Sequence, residues 1–323
     1  MVDKLINFIA KHDSFILTTH DPPDADGLGA QMVLACILKE WNKQFKIINA
    51  SPTPEQFKFM DPQGMVECWN NENHWTMAEQ STLFMLDTAD EEMLGQMKDV
   101  FSMAEEVFVI DHHEPKPHAP MQGIIDSSAA STCEMVVKMA ESTGIKLDYQ
   151  AAFAAYAGIA YDTGFFAYPK TTPGTLYAAM TLMALGAKPN EIFHRLYESS
   201  PVRSLVLQKR AIASMEFHCD NRVASQVLRQ NDFVEAGALS EDTDGFVNFP
   251  LKAQEVVVSV LVKETPNKLR CSLRSKGNIN VAKIAQEFGG GGHVNASAFK
   301  SNDDVDKTLA KALAKIAEAL DKP

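Results

Sequence analysis

The residues of this chain best suited to chemistry stand at the ends of apolar runs. In His20-Asp21-Pro22-Pro23-Asp24-Ala25-Asp26-Gly27-Leu28-Gly29, the imidazole of His20 and the carboxylates of Asp24 and Asp26 follow the run Phe15–Thr19 and precede a helical pattern. Its prolines stiffen the loop, and its glycines let backbone approach a ligand closely. Leu83–Leu86 runs into Asp87-Thr88-Ala89-Asp90, and Val109-Ile110 runs into Asp111-His112-His113. The apolar helical pattern before Tyr161 ends in Asp162-Thr163-Gly164. One Asp after a strand is more often a helix cap than a ligand, so each stretch alone is a weak signal. Together they bring carboxylates and imidazoles from the ends of several elements. That donor set suits hard-to-borderline divalent metals, Mn²⁺ above all.

The elements that must position these groups alternate. Apolar runs at Ser14–Thr19, Phe45–Asn49, Thr82–Leu86 and Val107–Ile110 predict strands, with helical patterns between some of them, clearest at Leu28–Trp41. Ser131 and Glu134 form a capping-box pattern that opens a helix through about Glu141. Asp148 caps a helix over Tyr149–Tyr161, and Thr172-Pro173 opens another with proline at its first position. This alternation predicts an α/β fold, a parallel sheet with helices on both faces and ligands at the carboxyl ends of its strands. The pattern changes after Gly186. A helical connector over 188–205 separates a first domain, 1–187, from a smaller α/β domain, 206–323. There Leu205–Phe217 reads as a helix, and Val223–Leu228, Glu255–Val262 and Lys268–Ser275 as strands, the last two a hairpin across Glu264–Asn267. Val281–Phe288 reads as a short helix before four glycines, and Asp303–Leu320 as a closing amphipathic helix.

Composition sets the outer limits. A chain of 323 residues is too long for one ordinary core. With 46% hydrophobic and 22% charged residues it falls in the soluble globular class. No apolar run approaches the ~20 residues that span a bilayer, and the acidic, amphipathic N-terminus does not read as a signal peptide. Cys36, Cys68, Cys133, Cys219 and Cys271 form no CxxC pair, so reduced thiols and a cytoplasmic location are expected. The net charge of −12 speaks against a nucleic-acid partner, yet Thr265–Gln286 holds no acid and five bases, Lys268, Arg270, Arg274, Lys276 and Lys283. That stretch is either a solvated basic face or a local anion site inside an acidic protein.

HDPPDAD, LDTAD, DHH and YDTG occur in the order and spacing of the four motifs of the DHH phosphoesterases, which the chain therefore resembles. Gly289-Gly290-Gly291-Gly292-His293-Val294-Asn295-Ala296-Ser297 is similar to the GGGH signature of the DHHA1 substrate domain, and Arg274-Ser275-Lys276-Gly277 to its RSKG stretch. Length and layout are most similar to the NrnA-type oligoribonucleases that also hydrolyse 3′-phosphoadenosine 5′-phosphate (pAp). The resemblance implies two divalent metals, Mn²⁺ first and Mg²⁺ or Co²⁺ as alternatives. It assigns His20 and Asp24 to one ion, Asp26, His112 and Asp162 to the other, and Asp87 as the bridge. It gives His113 contact with the phosphate, and Asp111 and Asp90 the orientation of imidazoles. It assigns substrate to Arg274, Ser275, Gly290, Gly291, Gly292, His293 and Asn295, with open backbone N–H groups along Gly289–Gly292. Two divalent ions would offset the carboxylates of Asp24, Asp26, Asp87 and Asp162, so an anionic substrate would meet no acidic pocket. The implied partners are short RNAs, linear dinucleotides and pAp, attacked from the 5′ end, with no membrane and no long duplex. A homodimer is compatible with the layout.

The chain departs from the family pattern at Ala30, Ala167 and Ala298, where relatives carry Ser, Arg or Lys, and Gly; Lys170 is placed to compensate at the second. Other readings carry less. A cyclic-dinucleotide phosphodiesterase fits the same motifs. A manganese inorganic pyrophosphatase would need a Lys/Arg-rich signature in place of GGGGH. A non-hydrolytic nucleotide sensor would have lost a ligand, and a RecJ-like exonuclease would carry a further oligonucleotide-binding domain. His12, His74, His194 and His218 read as surface or satisfied core positions, and His118 as a substrate-loop candidate. Trp41, Trp69 and Trp75 read as packing.

Overall fold

The computed structural model describes residues 2–70, 74, 81–114, 122–265 and 268–320. His118, Trp75 and the tip of the predicted 264–267 turn lie outside the described residues. The chain divides into two compact units, Met1–Ser199 and Ser200–Pro323. The division falls within the 188–205 stretch.

The first unit contains, in chain order, α1 (Val2–Lys11), β1 (Ser14–Thr19), α2 (Ala25–Glu40), β2 (Gln44–Asn49), β3 (Val66–Cys68), β4 (Thr82–Leu86), α3 (Lys98–Met103), β5 (Val107–Asp111) and β6 (Gly123–Ile125). They are followed by α4 (Thr132–Ser142), α5 (Tyr149–Asp162), α6 (Pro173–Ala184) and α7 (Pro189–Tyr197). The strands form one parallel sheet in the order β3-β2-β1-β4-β5-β6. Every residue of β4 and all but the first of β1 are buried, which is why both appear as unbroken apolar runs. On one face Phe8, Phe15, Leu17, Phe84 and Phe108 pack with α2, α4 and α5; on the other Ile16, Ile48, Leu83, Met85 and Val109 pack with Trp69, Leu94 and Met97. Phe15 pairs with Phe45 on one side and Thr82 on the other. β1 and β4 are thus neighbours although β2 and β3 intervene in sequence. The strand order reverses between them, and the crevice outside their carboxyl ends is where open α/β sheets take ligands.

Caps fix the helices that reach this crevice. Ser131 Oγ accepts the Glu134 N–H, Asp148 Oδ1 accepts the Ala151 N–H, and Thr172 and Thr175 form a reciprocal box at α6. α2 and α5 cross at van der Waals contact because a glycine on each helix faces the backbone of the other. A Cβ on Gly29 would lie 2.7 Å from Ala154 O, and one on Gly158 would lie 2.9 Å from Ala25 O. Both would also press on Cys133 Sγ.

The second unit contains α8 (Val202–Ala213), β7 (Glu216–His218), β8 (Val223–Leu228), α9 (Gln230–Ala236), β9 (Val258–Glu264), β10 (Leu269–Ser275), α10 (Val281–Gln286), β11 (Gly291–His293), β12 (Ala296–Ser301) and α11 (Val305–Leu320). Its mixed sheet runs β11-β12-β10-β9-β8-β7, with only β8 and β9 parallel. β9 and β10 form the expected hairpin. The helix expected through Phe217 instead stops at Ala213. Ser214 Oγ accepts the Val227 N–H at 2.9 Å, and Phe217 pairs with Ala224 in a hairpin turned by Cys219, Asp220 and Asn221 at positive φ. Asp and Asn are the non-glycine residues that tolerate this conformation best. α10 and α11 cover one sheet face through Val260, Val262, Leu273, Ile284 and Ile316.

The α2–α5 crossing generates a prediction. Overpacking a core costs about 1–3 kcal/mol. At Gly158 the obstruction includes backbone, which has no alternative rotamer, so the cost exceeds the about 1 kcal/mol by which alanine favours a helix. Gly158→Ala is expected to lower the thermal midpoint of the first unit, whereas Gly174→Ala, whose Cβ meets nothing nearer than 3.3 Å, is not. Thermal denaturation followed by circular dichroism checks both.

Candidate metal centre

The ends of β1, β4, β5 and α5 converge with the first turns of α2 and α4. His20 follows β1, and Asp24 is the N-cap of α2. Asp24 Oδ1 accepts the N–H groups of Asp26 (3.0 Å) and Gly27 (3.1 Å), while Oδ2 lies 3.5 Å from His20 Nε2. One oxygen is committed to the helix and the other to the site. Asp26, fully buried in the first turn of α2, accepts the Thr132 N–H on Oδ2 (2.6 Å) and the Cys133 N–H on Oδ1 (2.9 Å). These are orphan donors of the first turn of α4, at the positive end of its dipole.

Asp87 follows β4 with φ of +61°, a conformation uncommon outside glycine and found where surrounding structure over-determines it. Its N–H donates to Ile110 O at 2.9 Å. Oδ2 of Asp87 lies 3.4 Å from His20 Nε2, and Oδ1 lies 3.5 Å from His112 Nε2. His112 Nε2 is also 3.1 Å from Asp162 Oδ2 and 3.9 Å from Asp26 Oδ2. A hydrogen bond from His112 Nδ1 to Ala129 O (3.4 Å) sets the tautomer that turns the Nε2 lone pair toward the carboxylates. Asp111 ends β5 and accepts from His113 twice on Oδ1, from Nδ1 at 2.7 Å and from the backbone N–H at 3.1 Å.

Donor atoms drawn from His20, Asp24 and Asp87 lie within 4.8 Å of one another, as do those from Asp26, His112 and Asp162, and those from Asp87, His112 and His113. Carboxylate and neutral imidazole donors at this density fit a divalent cation. The electrostatics agree. Burial, then the charges of Asp87 and Asp24, pushes Asp26 well above the carboxylate range. Burial, then Asp26 and Asp87, does the same to Asp162. Burial opposes the His20 imidazolium, but Asp24 and Asp87 outweigh it and hold its pKa well above the histidine range. Burial likewise opposes the Asp24 carboxylate, and His20 and the Gly27 N–H bring its pKa down to about 2. Burial, His113 and Lys170 lower His112. Around Asp26 and Asp162 negative charge is uncompensated, and cations would offset it.

The remaining candidates divide. Asp90 accepts the Glu92 N–H and caps the turn Glu91–Met97. Ala30 is buried in α2, and Ala167 is exposed. Lys170 is exposed, and its charge acts on both Asp162 and His112. In the second unit Arg274 is half-buried on β10, with a guanidinium N–H on Leu273 O. Ser275 Oγ donates to Ile279 O, and Asn295 Nδ2 donates to Ser275 Oγ and Gly277 O. Ser275 and Asn295 thereby hold the turn after β10. The row of open N–H groups expected along Gly289–Gly292 is not present at its start. The Gly289 and Gly290 N–H groups donate to Gln286 O and Ala285 O, closing α10. Gly291, Gly292 and His293 are exposed on edge strand β11, and Ala298 pairs with Gly291. Outside the cluster, His12 lies by Glu106, His74 bonds Glu67, His194 bonds Glu198 and His218 bonds Ser225. Trp69 is core and Trp41 packs at its rim. Thr132 and Cys133 were readable only as a helix start; their grip on Asp26 bridges 106 and 107 residues of sequence, and no local pattern encodes it.

A parallel sheet whose switch-point crevice gathers buried carboxylates and imidazoles is the framework of a metal-dependent phosphoesterase. The model of the DHH family N-terminal domain matches residues 14–159, and that of the DHHA1 domain matches 220–322. The chain belongs to the DHH phosphoesterases, hydrolases of phosphoester bonds, with DHHA1 as its second domain. The bifunctional oligoribonuclease and PAP phosphatase NrnA of Thermus thermophilus is 29% identical over 312 residues, 94% of this chain and 89% of its own. The protein of the same name from Bacillus subtilis is 29% identical over 321 residues, 96% of this chain and 97% of its own. An exopolyphosphatase-related protein from Bacteroides fragilis shares the fold with a TM-score of 0.90 at 22% identity, over 98% of this chain and 95% of its own. No helix among the described residues is long and apolar enough to cross a membrane.

Asp162 tests the charge argument. Asp162→Asn removes a carboxylate that its neighbours oppose and keeps its shape. In metal-stripped protein, about 1 kcal/mol of relief is expected to raise the midpoint of the first unit by about 2–4 °C. The further rise on adding Mn²⁺ is expected to shrink. Differential scanning calorimetry with and without chelator measures both.

Proposed function

We propose that this phosphoesterase hydrolyses short oligoribonucleotides and linear dinucleotides from the 5′ end to 5′-mononucleotides, and pAp to AMP, with two divalent cations. The observation that carries the reading is Asp87, whose two oxygens face different donor groups, Oδ2 toward His20 and Oδ1 toward His112. We assign His20 and Asp24 to one cation, Asp26, His112 and Asp162 to the other, and Asp87 to both. Bound there, a pair of divalent cations, Mn²⁺ by preference, supplies Lewis-acid activation of water and neutralises phosphoryl charge.

The chain's own residues orient and hold charge. Burial opposes the His113 imidazolium, but Asp111 and Asp87 outweigh it and raise its pKa to about 8. With Nδ1 on Asp111, the ring presents Nε2–H as a donor for a phosphoryl oxygen, largely cationic at neutral pH. Cations held beside Asp26 and Asp162 would offset the burial and like charge that oppose their carboxylates. Arg274 and His293 of the second unit are assigned to the phosphate or nucleoside away from the scissile bond. The names of the two NrnA relatives support the substrate class.

Four outcomes follow. Activity on 5′-phosphorylated dinucleotide is expected to vanish with EDTA and return with Mn²⁺ better than with Ca²⁺. Asp87→Ala is expected to lose more activity than any single-ion ligand change while keeping its circular dichroism spectrum. Near-wild-type kcat for Asp87→Ala at saturating Mn²⁺ would remove the bridge. In a panel of pAp, linear and cyclic dinucleotides and RNA ladders, two- to five-nucleotide RNAs are expected to outcompete twenty-nucleotide ones and to shorten from the 5′ end. Arg274→Gln is expected to raise KM more than it lowers kcat. A charge-assisted hydrogen bond is worth about 1.5–3 kcal/mol, roughly ten- to a hundredfold in affinity. Release from the 3′ end, or an unchanged KM, would overturn these assignments.

A further inference from the structure

We infer that Thr132 is a positioning residue of the metal centre: its hydroxyl fixes the rotation of the Asp87 carboxylate so that each oxygen serves a different cation. This rests on the two-cation reading above.

Thr132 is the first residue of α4, behind the Ser131 cap, and is fully buried. Two groups on this one residue reach two carboxylates. Its N–H donates to Asp26 Oδ2 at 2.6 Å, and its Oγ1 donates to Asp87 Oδ1 at 2.9 Å. An ionised carboxylate only accepts, so the hydroxyl proton must point at Asp87. The oxygen it holds is the one facing His112 and His113, at 3.5 Å and 3.7 Å, and the other oxygen is left toward His20 at 3.4 Å. The backbone of Asp87 is already fixed at φ +61° with its N–H on Ile110 O. Rotation about the side chain is the remaining freedom, and the Thr132 hydroxyl removes it. A rotated Asp87 could put both oxygens on one cation and abandon the other. Thr132 is itself held, because Glu134 two residues on accepts the Ala130 N–H and the Thr175 hydroxyl on Oε2 and anchors the turn to α6.

Thr132→Val keeps shape and the N–H to Asp26 and deletes only the hydroxyl; Thr132→Ser keeps the hydroxyl. Mn²⁺ titration by calorimetry and electron paramagnetic resonance on metal-stripped protein separates the outcomes. Wild type and Thr132→Ser are expected to bind two ions and show the spin-coupled pair. Thr132→Val is expected to keep one ion, bind the second about tenfold or more weakly, lose the coupled signal, and lower kcat with KM little changed. Both ions bound by Thr132→Val at wild-type affinity, with the coupled signal intact, would overturn the inference. If circular dichroism shows Thr132→Val misfolded, Thr132→Ala, which also retains the N–H, is judged by the same readouts. Absence of a paired signal in wild type would instead overturn the two-cation reading, and the inference with it.

Discussion

A carboxylate buried at the N-terminus of a helix is the constraint on which the site depends. Asp26 is fully buried, and a carboxylate in that position is costly unless its oxygens are paired. Thr132 and Cys133 pair both, using donors that α4 would otherwise leave unsatisfied. That contact locks the start of α2 to the start of α4. The glycine crossing of α2 with α5 then fixes where Asp162, the last residue of α5, can stand. Site geometry is therefore inherited from helix packing, and the loops carrying His20 and Asp87 complete it.

Much of this was legible in the sequence, for identifiable reasons. Strands buried on both faces appear as continuous apolar runs, so β1 and β4 were read with their exact ends. Each motif that carries a candidate donor follows such a run or an apolar helix, and parallel-sheet logic placed them together. The three-residue strands β3, β6, β7 and β11 have no periodicity to read, and Phe217 was drawn into a helix by its apolar neighbours. The glycines at 289–292 signal close backbone approach. Sequence alone does not show that the Gly289 and Gly290 N–H groups close α10 while Gly291 and Gly292 run on as an edge strand. Asp90 also caps the turn that begins at Glu91, a use an acid after a strand equally suggests. The left-handed backbone at Asp87 carries only a weak signal, because Asp tolerates that conformation but far more often adopts β or α.

The two units differ in how they manage charge. In the first, anionic groups are concentrated beyond what local cations offset, and burial raises the stakes of each. In the second, Arg270 and Lys300 face one another across β10 and β12, and Ser275 and Asn295 shape the turn between β10 and α10. A net acidic chain can thus carry a cation-seeking centre and an anion-tolerant surface on separate folds.

The ligands assigned to the cations run from His20 to Asp162, most of the length of the first unit, and none lies in Ser200–Pro323. Cations bound there cross-link distant segments of chain, as a disulfide would, but reversibly and in proportion to their concentration. Loaded with cations, the first unit would carry a staple to which the second contributes no assigned ligand. Scarcity of metal would shorten the lifetime of one half of the molecule against proteolysis and leave the other half untouched, making cation supply a control on the protein's abundance as well as on its chemistry.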